Sequence, residues 1–106
     1  MEAASLDPRI AYVQGDDLMP RVADLGIENA LTANAYLGAF GIAAALDRGA
    51  DIVVTGRVTD ASVVIGPAAS HFGWRPDQYD ELAGAMVAGH IIECGAQATG
   101  GNFSGY

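Results

Sequence analysis

The chain has 106 residues, of which 51% are apolar, and its 13 carboxylates face only five arginines and no lysine, for a formal net charge of -8. Cations this few and scattered do not neutralise a run of phosphates, so nucleic acid and anionic membrane surfaces are excluded as partners. Ala35 to Leu46, a mainly apolar run without a charge, is well short of the roughly 18 residues of a bilayer span.

Other bulk features agree with a small cytoplasmic domain. Glu2 and Asp7 stand where an export signal would carry positive charge. The single cysteine, Cys94, has no partner for an internal disulfide. Counting 20 alanines and 14 glycines, about a third of the side chains are very small. Such residues bury little area, at about 25 cal/mol per Å². They favour close backbone approach and packing against further structure, so residues 1–106 read as one partial domain, an interior slice of a larger fold, and as a homo-oligomer.

The elements follow in chain order. Ile10 to Val13 is a short β-prone run closed by the turn residues Gly15, Asp16 and Asp17. Pro20 to Asp24 suits a helical turn, and Gly26 to Asn34 is a connector whose last residue is a candidate N-cap. Ala35 to Arg48 reads as a helix stopped by Gly49, with Gly38 and Gly41 marking a face that meets another backbone. Asp51 to Thr55 is a continuous β-branched run of the kind buried on both faces of a parallel sheet. A second helix from Asp60, as N-cap, to about Phe72 contains Pro67, which should end or kink it. After a loop with Gly73, Trp74 and Pro76, a last helix runs from Asp77 to about Cys94. Tyr79, Leu82, Met86 and His90 share one buried stripe on it. Gly95 stops it, and the tail beyond has no periodicity. Strand, helix, strand, helix, helix is an α/β order, a fragment of a mostly parallel sheet with flanking helices.

Ligands of open parallel sheets bind beyond the carboxyl ends of the strands. The first strand delivers Asp16 and Asp17 there. The second delivers Gly56, Arg57, Thr59, Asp60 and Ser62, where a fixed guanidinium and helix N–H groups can hold a phosphate or carboxylate. Two plainer alternatives stand beside this one. Asp16 and Asp17 can simply form a turn while Asp60 caps its helix and Arg57 pairs internally, or the three aspartates can hold Mg²⁺. On the last helix, His90, Glu93 and Cys94 lie at i, i+3 and i+4. A zinc site needs a further partner that this spacing lacks, so no metal is assigned. The helix C-terminal field disfavours a Cys94 thiolate. His90 with Glu93 facing a pocket could act as a general acid, whereas a lone histidine on an apolar stripe is more often a hydrogen-bonded core residue. The latter is the expectation, with Cys94 packed beside it. The small-residue tail at Gly100, Gly101 and Asn102 lets backbone N–H groups approach an anionic ligand, as a flexible linker would also allow. It lacks the spacing of a nucleotide-binding loop, and no cofactor is specified.

Several blocks carry a resemblance. Asn34-Ala35-Tyr36-Leu37-Gly38, Asp51 through Ser62, Phe72-Gly73-Trp74, and Gly89 through Gly101, with Gly15-Asp16-Asp17, closely resemble the core domain of the acyclic terpene utilisation family over nearly the whole chain. Thr59 departs from it, standing where the family often has alanine. The resemblance implies a cytosolic bacterial protein of acyclic terpenoid catabolism, of which citronellol and geraniol are examples, with acyl-CoA thioester intermediates. The expectation is then a small anionic substrate, a carboxylate or CoA thioester, at the strand carboxyl edge. Asn34, Tyr36, Gly56, Arg57, Ser62, Gly100, Gly101 and Asn102 would bind it, and Asp16, Asp17, Asp60, His90 and Glu93 would supply acid or base. The alternative is a non-catalytic assembly domain joined through the Gly38 and Gly41 face.

Overall fold

The computed structural model describes residues 7–99. Strands β1 (Ile10–Val13) and β2 (Ile52–Thr55) pair in parallel, Ile10 opposite Ile52 and Val13 opposite Thr55. Their entry is pinned by Asp51, whose Oδ2 accepts from the Arg9 N–H at 2.8 Å and from Arg9 Nε at 3.4 Å. Between the strands run a 3-10 turn (Met19–Arg21) and helix α1 (Phe40–Asp47). After β2 come α2 (Ser62–Phe72), α3 (Tyr79–Cys94) and a 3-10 segment (Gly95–Thr99). The order is the expected strand, helix, strand, helix, helix of a small α/β unit.

Small side chains make the core. Ala39, Ile42, Ala43, Ala45, Ala61, Ser62 and Ala69 are buried, and α1 packs on α2 as α2 packs on α3. Close backbone approach replaces area at three glycines. A Cβ on Gly41 would sit 2.8 Å from Val13 Cγ1, one on Gly66 2.7 Å from Ile42, and one on Gly89 2.9 Å from the Ala61 carbonyl oxygen. Gly41 approaches Val13 of β1 with the side where its Cβ would lie, while both Gly38 and Gly41 remain exposed.

Several expectations are corrected. α1 begins at Phe40, not Ala35, because residues 34–37 are extended and give their backbone bonds to other loops. Asn34 therefore caps no helix and pairs antiparallel with Asp17. β2 is not covered on both faces: Val53 and Thr55 are half-buried beneath the helices, while Ile52 and Val54 join Ile10 and Tyr12 on an exposed face. Pro67 lies inside α2 without ending it, and the helix reaches Phe72 as expected, with neighbouring Gly66 packed closely on Ile42. The stripe on α3 is not buried, since Gly89 is the residue pressed onto α2, leaving Tyr79, Met86 and His90 exposed. Gly49 (φ 86°) and Gly95 (φ 53°) do stand at the helix stops, in backbone conformations that favour glycine.

Candidate functional site

The loops after β1 and β2 meet at the carboxyl end of the sheet, joined by the extended residues 33–37. Leu18 N–H donates to the Ala33 carbonyl at 2.8 Å, and Ala35 N–H to the Asp16 carbonyl at 2.7 Å. Leu37 N–H donates to Arg57 O, and Thr59 N–H to Leu37 O, both at 3.0 Å. This stitching turns the Asp16 carboxylate inward. Its Oδ2 accepts from the Arg57 N–H at 2.9 Å and from Asn34 Nδ2 at 3.0 Å, and a Cβ on Gly56 would collide with it. The Arg57 N–H, then the Asn34 amide, hold the Asp16 carboxyl below its ordinary value against the opposing effect of partial burial. Asp17 Oδ1 accepts from Met19 N–H at 2.9 Å and closes the turn leading to Pro20. The three aspartates do not gather, because Asp16 and Asp17 are engaged in this corner.

The second corner lies between the start of α2 and the end of α3. Asp60 is not the cap of α2; that place falls to Ala61, without a side-chain bond. The Asp60 carboxylate turns instead to Cys94, whose thiol lies 3.3 Å from Asp60 Oδ2 and 2.9 Å from Glu93 Oε2. These surroundings push the Cys94 thiol up to about 12, the Glu93 bond first, then burial and Asp60. One donor atom each of Asp60, His90 and Cys94 lies within 4.8 Å of the others. His90 is exposed and Cys94 half-buried, so the histidine is not the core residue expected of an apolar stripe.

Beside this cluster opens a cleft of about 680 Å³. Ile65, Met86, Val87 and Ile91 give it apolar walls, and Tyr36, Thr59, Asp60 and His90 supply its polar groups. A smaller depression of about 190 Å³ holds Gly56, Arg57 and Glu93 and shares Thr59 and Asp60 with the cleft. Among the described residues, Arg57 takes part in none of the ion pairs.

The structure thus brings together Tyr36, Asp60 and His90 at the cleft, with Gly56, Arg57 and Glu93 beside it. It keeps Asp16, Asp17 and Asn34 in the loop corner. Ser62 is 1% exposed and shares a hydroxyl hydrogen bond with Thr59, so its own hydroxyl is taken up within the fold. Gly100, Gly101 and Asn102 lie outside the described residues. Sequence reasoning missed Ile65, Val87 and Ile91 as cleft walls and placed Met86 in a core. A histidine in the α3 stripe was the available signal that this face borders a polar site.

Among the described residues, no helix is long and apolar enough to cross a membrane. The family model described as acyclic terpene utilisation family protein AtuA matches residues 1–106. No curated protein and no solved structure matches the chain.

Proposed function

We propose a function from the premise that this chain belongs to the acyclic terpene utilisation family AtuA. On this reading, the cleft between α2 and α3 receives the branched hydrocarbon chain of an acyclic terpenoid intermediate. The carboxylate or CoA thioester end of that molecule lies toward Asp60, His90 and Arg57. The observation carrying the proposal is the cleft itself, with one apolar wall from each helix and polar side chains beside them. Its volume falls within the about 300–1,000 Å³ typical of small-molecule sites.

The residue chemistry supports distinct tasks. An apolar wall gains from each methyl group it covers but does not fix direction. Direction comes from Arg57, whose planar guanidinium can take a carboxylate bidentately in the adjoining depression. Asp60 and His90 are the acid and base candidates that border the cleft, so any proton transfer is assigned to them. Glu93 stands one step back, on the Cys94 thiol and in the Arg57 depression.

Calorimetric titration with citronellate and with a straight-chain carboxylate tests this reading. Citronellate should bind more tightly, Met86→Trp should weaken it at least about tenfold by filling the cleft, and Arg57→Lys should retain more affinity than Arg57→Met. Binding unaffected by Met86→Trp would remove the cleft from consideration.

A second reading, self-association, is favoured by a different observation. Ile10, Tyr12, Ile52 and Val54 are 46–67% exposed on one face of the sheet. A second copy of this chain could cover that face, and sedimentation equilibrium at micromolar concentration should then report a dimer or larger species.

A further inference from the structure

We propose that Asp60, His90 and Cys94 form a zinc site, the ion held by one carboxylate oxygen, one imidazole nitrogen and the Cys94 thiolate. The three donors come from two separate parts of the chain. Asp60 ends the loop after β2, while His90 and Cys94 stand at i and i+4 on one face of α3. One donor atom from each lies within 4.8 Å of the others, and Cys94 Sγ is already 3.3 Å from Asp60 Oδ2. Zinc bonds of about 2.0–2.3 Å in tetrahedral array put ligand atoms roughly 3.3–3.8 Å apart, so small side-chain rotations close the set.

The donor chemistry selects the ion. A sulfur, a nitrogen and an oxygen together suit borderline-soft zinc, whereas Mg²⁺ and Ca²⁺ take oxygen. Charge agrees, because Asp60 and a Cys94 thiolate balance a divalent cation, and Glu93 Oε2, 2.9 Å from the sulfur, adds negative potential. Among the described residues, Asp60 and Glu93 are engaged in no ion pair. Binding replaces the thiol S–H bond by a zinc–sulfur bond and releases that proton to solvent. The missing fourth protein ligand is then a property of the site: three protein ligands leave a coordination position for water or a substrate oxygen. Since Asp60 and His90 also line the cleft, the ion would stand beside it and could polarise a carboxylate or thioester oxygen. That consequence rests on the proposed cleft function, whereas zinc binding does not.

The whole chain, treated with chelator, should be titrated with ZnCl2 and separately with CoCl2, without organic ligand. One zinc per chain with proton release is expected, and the cobalt form should show a thiolate-to-cobalt charge-transfer band. Cys94→Ser should abolish that band. His90→Ala and Asp60→Asn should each weaken zinc at least about tenfold, with circular dichroism confirming the fold. Absence of the band in the unsubstituted chain, which requires no variant to fold, would overturn the proposal. So would zinc affinity unchanged in both His90→Ala and Asp60→Asn. Met86→Trp should retain zinc while losing citronellate, so failure of the metal site and failure of the cleft reading give different results.

Discussion

Two acidic corners stand at the carboxyl end of the same pair of strands, and their carboxylates meet opposite fates. Asp16 is enclosed by the Arg57 N–H and the Asn34 amide, and residues 33–37 are bonded to the loops on either side. Asp60 faces the Cys94 thiol at the border of an open cleft. Both follow a strand by a few residues, and nothing in composition separates them. What separates them is whether backbone N–H groups reach the carboxylate first, since such bonds commit it to the fold.

The most disruptive way to break the contrast is Gly89→Val. The added side chain meets the backbone of Ala61, which cannot yield as a side-chain tip would. A loss of about 1–3 kcal/mol in urea denaturation is expected, as for other overpacked contacts. The Asp60 to Cys94 approach should open with it, because α3 is displaced from the start of α2.

Thiol chemistry sharpens the comparison next. With the thiol pushed up to about 12 by Glu93, burial and Asp60, metal-free folded Cys94 should react with a thiol reagent at neutral pH at least about tenfold more slowly than in denaturant. Glu93→Gln removes the first cause and should speed the folded reaction. Equal folded and unfolded rates would show that the carboxylates do not govern this sulfur.

Acid titration reads the enclosed corner. The folded Asp16 carboxyl lies below the ordinary 3.8, so its contribution to stability is complete above that value and is lost as pH falls through the lower folded one. Urea midpoints followed from about pH 5 to about pH 2 should therefore decline less steeply in Asp16→Asn. Asp51, lowered in the same sense by its bonds from Arg9, remains in both proteins and accounts for part of the residual slope. The smallest effect belongs to the surface pair of Arg75 and Asp77, 3.1 Å apart, with side chains 69% and 67% exposed. Arg75→Ala should change stability by about 0.5 kcal/mol or less, and by less still in high salt.

The local patterns show where sequence is informative. Ile10 to Val13 was legible because a β-branched and aromatic run ended in turn residues, and α3 because a long segment ended at Gly95. The start of α1 was not, since Ala35 and Leu37 give their N–H groups to Asp16 and Arg57, far away in the chain. Helix propensity at alanine and leucine is outweighed there by nonlocal backbone bonding. The Asp60 to Cys94 contact joins residues 34 positions apart and leaves no periodic trace. Met86 and His90 were assigned to a buried stripe because periodicity identifies a shared helix face without saying whether that face meets core or cleft.

The stretch at residues 33–37 is fastened by its main chain, through Ala33 O, Ala35 N–H, Leu37 N–H and Leu37 O. None of these bonds depends on the side chain of Tyr36, which is 61% exposed and borders the cleft. The frame and the surface it displays are thus separable under mutation. If the cleft takes the ligand proposed above, position 36 can pass among large and small residues and reshape what is accepted while the loops stay joined, a route to divergence that does not trade against folding.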